Sequence, residues 1–360
     1  MYKSLLKKTT FVLLLLNWNI SANVFSQENF RVMFYNVENL FDTEKEPGKN
    51  DEEFQPDSKR YWTIKKYRQK LTHIAKVITA VGEWNSPALV GMCEVENDKV
   101  MRDLTRFSIL KSQGYKYVMT SSDDRRGIDV ALMYQADRFR LLGYKAYKVR
   151  FDSPQKVTRD ILHVTGLIKS RDTIDVFVCH YPSRRGGEIA SEPDRIRVSQ
   201  LLRKHAEYLH RTREKAHIII MGDFNDEPSN KSISETLKAL KYHENITPNP
   251  SGLQLFNLFH AYEKQDRTGS YKYRGEWNML DQIIISESLL EKNSRFRYSP
   301  GSAKIFSEDF VLTEDKSGGG ERPKKTYHGL KYEGGFSDHL PVYADFMITF
   351  RPSPKVVANK

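Results

Sequence analysis

Asn, Asp, Glu and His recur along this chain at the ends of short apolar runs. Residues 217–226 show the pattern: Ile218, Ile219, Ile220 and Met221 read as a buried strand, which breaks at Gly222 and presents Asp223, Asn225 and Asp226 within four residues. A strand that ends in oxygen ligands holds chemistry rigidly at a sheet edge, although an Asx-rich turn alone gives the same sequence. The arrangement returns at Asn36 after residues 30–35, at Glu94 within 88–95, at His180 after 174–179, at Asp281 within 279–285, and at Asp338 and His339 before 340–346. Carboxylate, amide and imidazole groups with no cysteine among them suit a hard divalent cation, Mg2+ or Mn2+, rather than zinc or an iron–sulfur cluster. The two histidines add proton transfer or contact with a phosphate.

The elements that must position these groups are mostly legible. Tyr67, Leu71, Ile74, Ile78 and Val81 recur at helical spacing behind Thr63 as N-cap, and Gly82 stops that helix. Further helices are expected near 100–110, 195–209 and 233–240, and further strands near 115–120, 128–134, 139–149 and 161–168. Residues 313–335, rich in Gly and Lys, read as a mobile loop. Strands and helices mix throughout, with no fixed repeat and no shift of composition. One α/β layered domain over residues 27–350, with a C-terminal tail at 351–360, is the simplest organisation.

The 360 residues are 39% hydrophobic and 12% aromatic, enough for a large core. Lys3, Lys7 and Lys8 precede an apolar run at 11–16, and small residues at 21–26 offer a cleavage site before Gln27. Residues 1–26 therefore read as a signal peptide, and the protein as exported, to the periplasm or beyond the cell. The apolar run is far short of the roughly 20 residues of a membrane span, so no stable membrane anchor is expected. Removing three lysines from 57 basic residues leaves 54 against 46 acids, a balance of +8. That excess suits a polyanionic substrate such as nucleic acid, and ordinary solubility charge as well. Cys93 and Cys179 sit within expected strands and read as buried thiols, although an exported chain could oxidise them.

Seven segments, in order, resemble the endonuclease/exonuclease/phosphatase superfamily, the DNase I-like group. They are Asn36-Val-Glu-Asn39, Cys93-Glu-Val-Glu-Asn97, Arg126-Gly-Ile-Asp-Val-Ala-Leu132, His180-Tyr-Pro-Ser183, Gly222-Asp-Phe-Asn225, Leu280-Asp-Gln282 and Ser337-Asp-His-Leu-Pro341. The resemblance implies a four-layer α/β sandwich, two mixed β-sheets face to face with helices outside. It implies metal ligands at Asn36 and Glu94, with Asp338 close to the metal. It also implies that Asp223 and Asn225 orient the attacking water and a phosphate oxygen. His339 is similar to the family's catalytic histidine, with Asp281 as its carboxylate, and His180 resembles the second histidine. Asp129 is a candidate to orient His180 or line the substrate site. Most relatives act as monomers.

Arg184 and Arg185 could clamp a phosphate, or form a solvated turn. Tyr271, Tyr273, Arg274 and Trp277 suit stacking on bases, and core packing equally. The leading expectation is an exported Mg2+-dependent phosphodiesterase that cleaves nucleic acid, DNA first. Alternatives are a sphingomyelinase-like or inositol-phosphate phosphatase-like enzyme, or a binding protein on the same fold. No apolar insertion of the kind a lipid-cleaving enzyme would use is visible in the sequence.

Overall fold

Period-two alternation in the longest strand separates two apolar layers. Phe30, Val32 and Phe34 point to one buried cluster, while Met33, Tyr35 and Val37 point to another. A strand with both faces covered must lie inside a layered protein. The computed structural model, which describes residues 25–244, 246, 252–263 and 268–351, shows those layers.

Numbered along the chain, the strands of the two large sheets are β1 (Ser26–Leu40), β2 (Leu89–Val95), β3 (Tyr115–Met119), β4 (Asp129–Gln135), β5 (Phe139–Tyr147), β6 (Ile161–Ile168), β7 (Thr173–His180), β8 (His217–Asp223), β9 (Ala239–Lys241), β10 (Leu255–Asn257), β11 (Asp281–Ser286), β12 (Phe296–Tyr298), β13 (Lys304–Ile305) and β14 (Val342–Phe350). One sheet runs β12-β14-β1-β2-β4-β3, with β13 also on β14; the other runs β5-β6-β7-β8-β11-β10-β9. Their facing sides share one cluster that includes Phe34, Val130, Val176, Met221 and Phe346. Helices α1 (Ile64–Gly82) and α2 (Asp98–Phe107) cover the outer face of the first sheet, and α3 (Glu188–Thr212) covers that of the second. The result is helix, sheet, sheet, helix: the four-layer sandwich.

Several local expectations meet corrections. Residues 233–240 are not a helix. They form a π-helical turn at Ser232–Thr236, Lys238 takes a positive φ of 57°, and Leu240 pairs in parallel with Phe256. Residues 313–335 are not a featureless loop: Leu312–Glu314 pairs with Glu321–Pro323, and Tyr327–His328 with Lys331–Tyr332. Helix α3 starts at Glu188 rather than near 195 and carries Pro193 inside its N-terminal part. Thr63 stands at the N-cap of α1 in extended backbone, but its side chain makes no capping hydrogen bond.

The expected signal peptide lies outside the described residues except for Phe25 and Ser26. Ser26 opens β1 opposite Phe350. Of the 351–360 tail, only Arg351 is described. Among the described residues no helix is long and apolar enough to cross a membrane. Both cysteines are buried and unpaired.

Candidate active site

Strand register gathers the polar tips. Parallel pairing of β7 with β8 sets His180 opposite Asp223, and antiparallel pairing of β8 with β11 sets Asp223 opposite Asp281. Three candidate residues therefore stand in one row across three adjacent strands. Gly222 permits that row, because a Cβ there would lie 2.5 Å from the carbonyl oxygen of Cys179.

On the facing sheet, Asn36 of β1 stands opposite Cys93 of β2, and both strands then lose regular register. Glu38, Asn39, Glu94 and Asn225 take positive φ values of 50°, 52°, 62° and 50°. Left-handed backbone at non-glycine residues costs on the order of 1 kcal/mol each. Four such residues at neighbouring strand tips match the use of bulges to turn side chains out of the pleat toward a site.

Hydrogen bonds fix the cluster. Asn36 Nδ2 donates to Asp223 Oδ2 at 3.0 Å, and Asn36 Oδ1 accepts the Glu38 amide. Glu94 Oε2 accepts the Asn39 amide at 2.9 Å, which leaves Oε1 3.9 Å from His180 Nε2. Asp223 Oδ1 accepts the Asn225 amide, and Asn225 Nδ2 donates to the Tyr181 carbonyl. His339 Nδ1 bonds Asp281 Oδ2 at 2.6 Å, and its Nε2 lies 3.9 Å from Asp223 Oδ2. His180 Nε2 approaches the same oxygen at 3.6 Å, while its buried Nδ1 has no partner. Tyr271 stacks on the His339 ring at 4.7 Å between centroids.

Two histidines thus flank one carboxylate in opposite electrostatic surroundings. Burial pushes His180 well below the usual histidine range, and the guanidinium groups of Arg159 and Arg126 add to that effect. Burial acts the same way on His339, but Asp281 and Asp223 outweigh it and hold that ring well above the ordinary value. Asp223 is pushed up to about 6, by burial first; the His339 charge opposes this and Asp281 adds to it.

The acidic edge fits a hard cation. Burial, then repulsion from Glu38 and Glu94, pushes Asp338 up to about 7. Among the described residues nothing donates a hydrogen bond to its carboxylate. Glu94 Oε1 and the Asp338 oxygens are free to take a ligand role, and Asn36 Oδ1, which accepts only the Glu38 amide, keeps a second lone pair for one. Two other groups bring one ligand atom per residue within 4.8 Å: Asp223, Asp281 and His339, and Cys93, His180 and Asp223. The first is committed to the Asp281–His339 hydrogen bond, and burial holds the Cys93 thiol protonated. Glu94 and Asp338 add carboxylate oxygens of the kind a hard cation takes.

Of the remaining candidates, only Arg184 is hydrogen-bonded to this cluster among the described residues. Asp129 is buried but bonds Thr120 Oγ1 and the Ser122 amide, not His180. Arg184 donates to the Asn225 carbonyl and to Asn230, so it braces the site from outside; Arg185 is exposed. Glu96 accepts the Asp42 amide, away from the cluster.

Sequence reasoning missed Arg159 and Lys70. Arg159 is buried against Asp124 and the Tyr181 carbonyl, with Nε unpartnered. No spacing marked it. Lys70 is buried on α1 and donates to Thr326 Oγ1 and the Phe336 carbonyl at 2.7 Å, with Glu38 Oε2 at 3.5 Å. Its place beside Tyr67, Leu71 and Ile74 on the apolar helix face was a readable signal.

Known structures share the architecture. A crystal structure of an endonuclease/exonuclease/phosphatase family protein from Bacteroides thetaiotaomicron is 14% identical with a TM-score of 0.55, over 90% of this chain and 97% of that one. A mannosyl-6-phosphatase of the same organism is 14% identical with a TM-score of 0.54, over 88% and 99%. D. rerio TDP2 complexed with a single-strand DNA product is 15% identical with a TM-score of 0.53, over 88% and 98%. At these identities the likeness is one of fold. Comparison of the sequence with curated proteins finds no match. The model of the Endonuclease/Exonuclease/phosphatase family matches residues 31–347, a span that holds every strand tip described above, and the chain belongs to that family of phosphoester hydrolases.

Proposed function

We propose that the protein is an exported, divalent-metal-dependent phosphodiesterase that cleaves nucleic acid, DNA first, as a monomer. The observation that carries the chemistry is the approach of two histidines to one carboxylate, His180 Nε2 at 3.6 Å and His339 Nε2 at 3.9 Å from Asp223 Oδ2, in opposite electrostatic surroundings. Such a divergence assigns acid and base roles within one site. A phosphodiester resists attack because its oxygens repel the nucleophile and its alkoxide leaves poorly. Mg2+ or Mn2+ held by Glu94 and Asp338 would offset negative charge on the phosphate.

The chain's own groups supply the rest. Asp223, ionised at neutral pH and held by Asn36 and the Asn225 amide, accepts a proton from the attacking water. His339, kept as the imidazolium by Asp281, donates toward the oxygen that gains charge. Neutral His180 donates a hydrogen bond from Nε2 to the phosphate without adding a further buried charge. Positioned acid–base groups of this kind contribute about 10²–10⁴-fold. No Ser or Cys nucleophile is required.

The choice of nucleic acid rests on the surroundings. A cleft of about 440 Å3 adjoins Asp338 and is lined by Tyr271, Tyr273, Arg274, Arg322 and Lys325. Rings beside cations suit bases beside phosphates. The basic balance and the N-terminal signal pattern support an exported enzyme for a polyanion.

The test is hydrolysis of plasmid DNA, sphingomyelin and an inositol polyphosphate by protein starting at Gln27, with Mg2+, with chelator, and with His339→Ala. Metal-dependent DNA cleavage lost in the variant is the expected result. Turnover of only the lipid or the inositol phosphate would reassign the substrate, and silence on all three without metal binding would reject the enzyme reading.

A further inference from the structure

A second cleft, of about 300 Å3, opens between residues 148–150 and helix α3; Lys148, Val149, Arg150, Arg197, Leu201 and Lys204 line it. Arg197, Leu201 and Lys204 are spaced i, i+4 and i+7, so they share one helix face. Val149 is buried and Leu201 half-buried, which makes an apolar floor under a cationic rim. Arg197 Nε donates to the Arg150 carbonyl at 3.0 Å, an anchor that holds its guanidinium at the cleft. Among the described residues Arg150, Arg197 and Lys204 form no ion pair. Of the acids nearby, Asp123 pairs with Lys148 and Asp194 with Lys156. Three exposed cations that share one cleft without ion-pair partners repel one another. Such a patch raises the local concentration of a polyanion and is relieved when phosphates neutralise it.

The position of the cleft gives it meaning. Strand β5 ends at Tyr147 opposite Ile161, and Leu162 of β6 stands opposite Val178, two residues before His180. Residues 148–160 therefore leave the second sheet at the edge where β7 delivers His180, and Arg159 from this segment reaches the Tyr181 carbonyl. The aromatic, basic cleft beside Asp338 lies with His339 at the other end of the residue row. The segment that brings Arg150 to the cleft thus also brings Arg159 to the strand end that holds His180.

We propose that the Arg150–Arg197–Lys204 cleft binds a phosphate of the substrate chain remote from the scissile bond, so that the enzyme takes a polymeric phosphodiester and cuts it internally. This rests on the phosphodiesterase reading above. The chemistry recognised is a run of phosphate charges: nucleic acid offers it on phosphodiesters, whereas inorganic polyphosphate, a phosphoanhydride, offers the charge alone.

The experiment measures binding of a short fluorescein-labelled oligodeoxynucleotide by anisotropy, in chelator to prevent hydrolysis, across a range of salt. Wild type is compared with an Arg150→Ala, Arg197→Ala, Lys204→Ala variant. The expected result is affinity weaker by roughly tenfold or more, with a slope of log Kd against log salt flatter by about 2, since each phosphate neutralised on a single strand contributes about 0.7. Equal affinity and slope in the two proteins overturn the proposal. Should thermal melting show the triple variant to be misfolded, Lys204→Glu on the exposed helix face gives the same comparison. Tripolyphosphate that competes with the oligonucleotide on wild type supports a site for phosphate chains in general, and failure to compete supports nucleic acid as the source. Cleavage of circular single-stranded DNA, which has no ends, is expected with metal; attack on linear DNA alone overturns internal cutting. Wild-type hydrolysis of bis(4-nitrophenyl) phosphate tests the phosphodiesterase reading separately. Its absence, with the binding difference intact, would reject that reading and leave the cleft as a polyanion site.

Discussion

Asp281 controls the site through one oxygen. It is fully buried, and its Oδ2 bonds His339 Nδ1 at 2.6 Å while Oδ1 has no partner. Its negative charge is what keeps a buried imidazole protonated against desolvation. Asp281→Asn preserves shape and removes that charge. The expected outcome is a fall in kcat of at least about 10²-fold on a small diester, with KM and metal affinity nearly unchanged, measured by steady-state kinetics and Mn2+ titration. A comparable rise in KM would place Asp281 in substrate binding instead. The partners of His339 follow from the sequence because motif residues of the family recur. The orphaned Nδ1 of His180, and the buried Arg159 that adds to the effect of burial on that ring, do not, because neither lies in a periodic pattern.

Strand β8 carries two constraints that can be measured independently of activity. Gly222→Ala would drive a Cβ against the Cys179 carbonyl, a backbone atom that cannot rotate away. A loss of about 1–3 kcal/mol is expected, read from the urea midpoint, and an unchanged midpoint would show that the two strands can part. At the other end of β8, His217 bonds Ser288 Oγ at 3.0 Å, and burial lowers it from 6.5 to about 4. The folded state therefore binds this proton less readily than the unfolded chain. Its neutral form costs nothing above pH 6.5, and stability is lost progressively as pH falls from 6.5 toward 4, by up to roughly 3 kcal/mol. His217→Gln should flatten the dependence of Tm on pH within that window, and an unchanged dependence would assign it elsewhere. The misread elements also belong to this scale. Residues 233–240 have helical apolar spacing, yet pairing of Leu240 with Phe256 overrides local propensity. Residues 313–335 lack an apolar pattern and are ordered by distant contacts, among them those of Thr326 with Lys70 and with Glu38.

Across the whole molecule, two sheets bring carboxylates from distant segments to one edge, and their repulsion has a thermodynamic signature. Asp338 is raised to about 7 by burial, then by Glu38 and Glu94, with partial relief from Lys70. Mg2+ or Mn2+ should therefore raise Tm. At a hundredfold excess over Kd the gain is about 2.7 kcal/mol, or a few degrees for a chain of this size. Asp338→Asn removes one repelling charge, so the metal-free variant should melt above metal-free wild type and should lose most of the metal-induced shift. Differential scanning fluorimetry with and without chelator checks both signs. A metal shift retained in full would move the cation to other residues.

The sequence by itself determined which residues could do chemistry and the order in which strands deliver them, because strand ends announce themselves where an apolar run stops at a polar group. The layered sandwich was legible only through the resemblance of seven ordered motifs, and the two-sided burial of β1 belongs to the structure. Tertiary structure decided what those groups do to one another. The row of His180, Asp223 and Asp281 exists only through pairing of β7, β8 and β11. The opposed charge states of two histidines depend on burial and on charges brought from remote segments. The turning of Asp129 toward Thr120 and the bracing of Asn225 by Arg184 follow from hydrogen bonds that no spacing records. Residue type and strand period are local properties of a chain, whereas desolvation and Coulomb interaction depend on which segments meet.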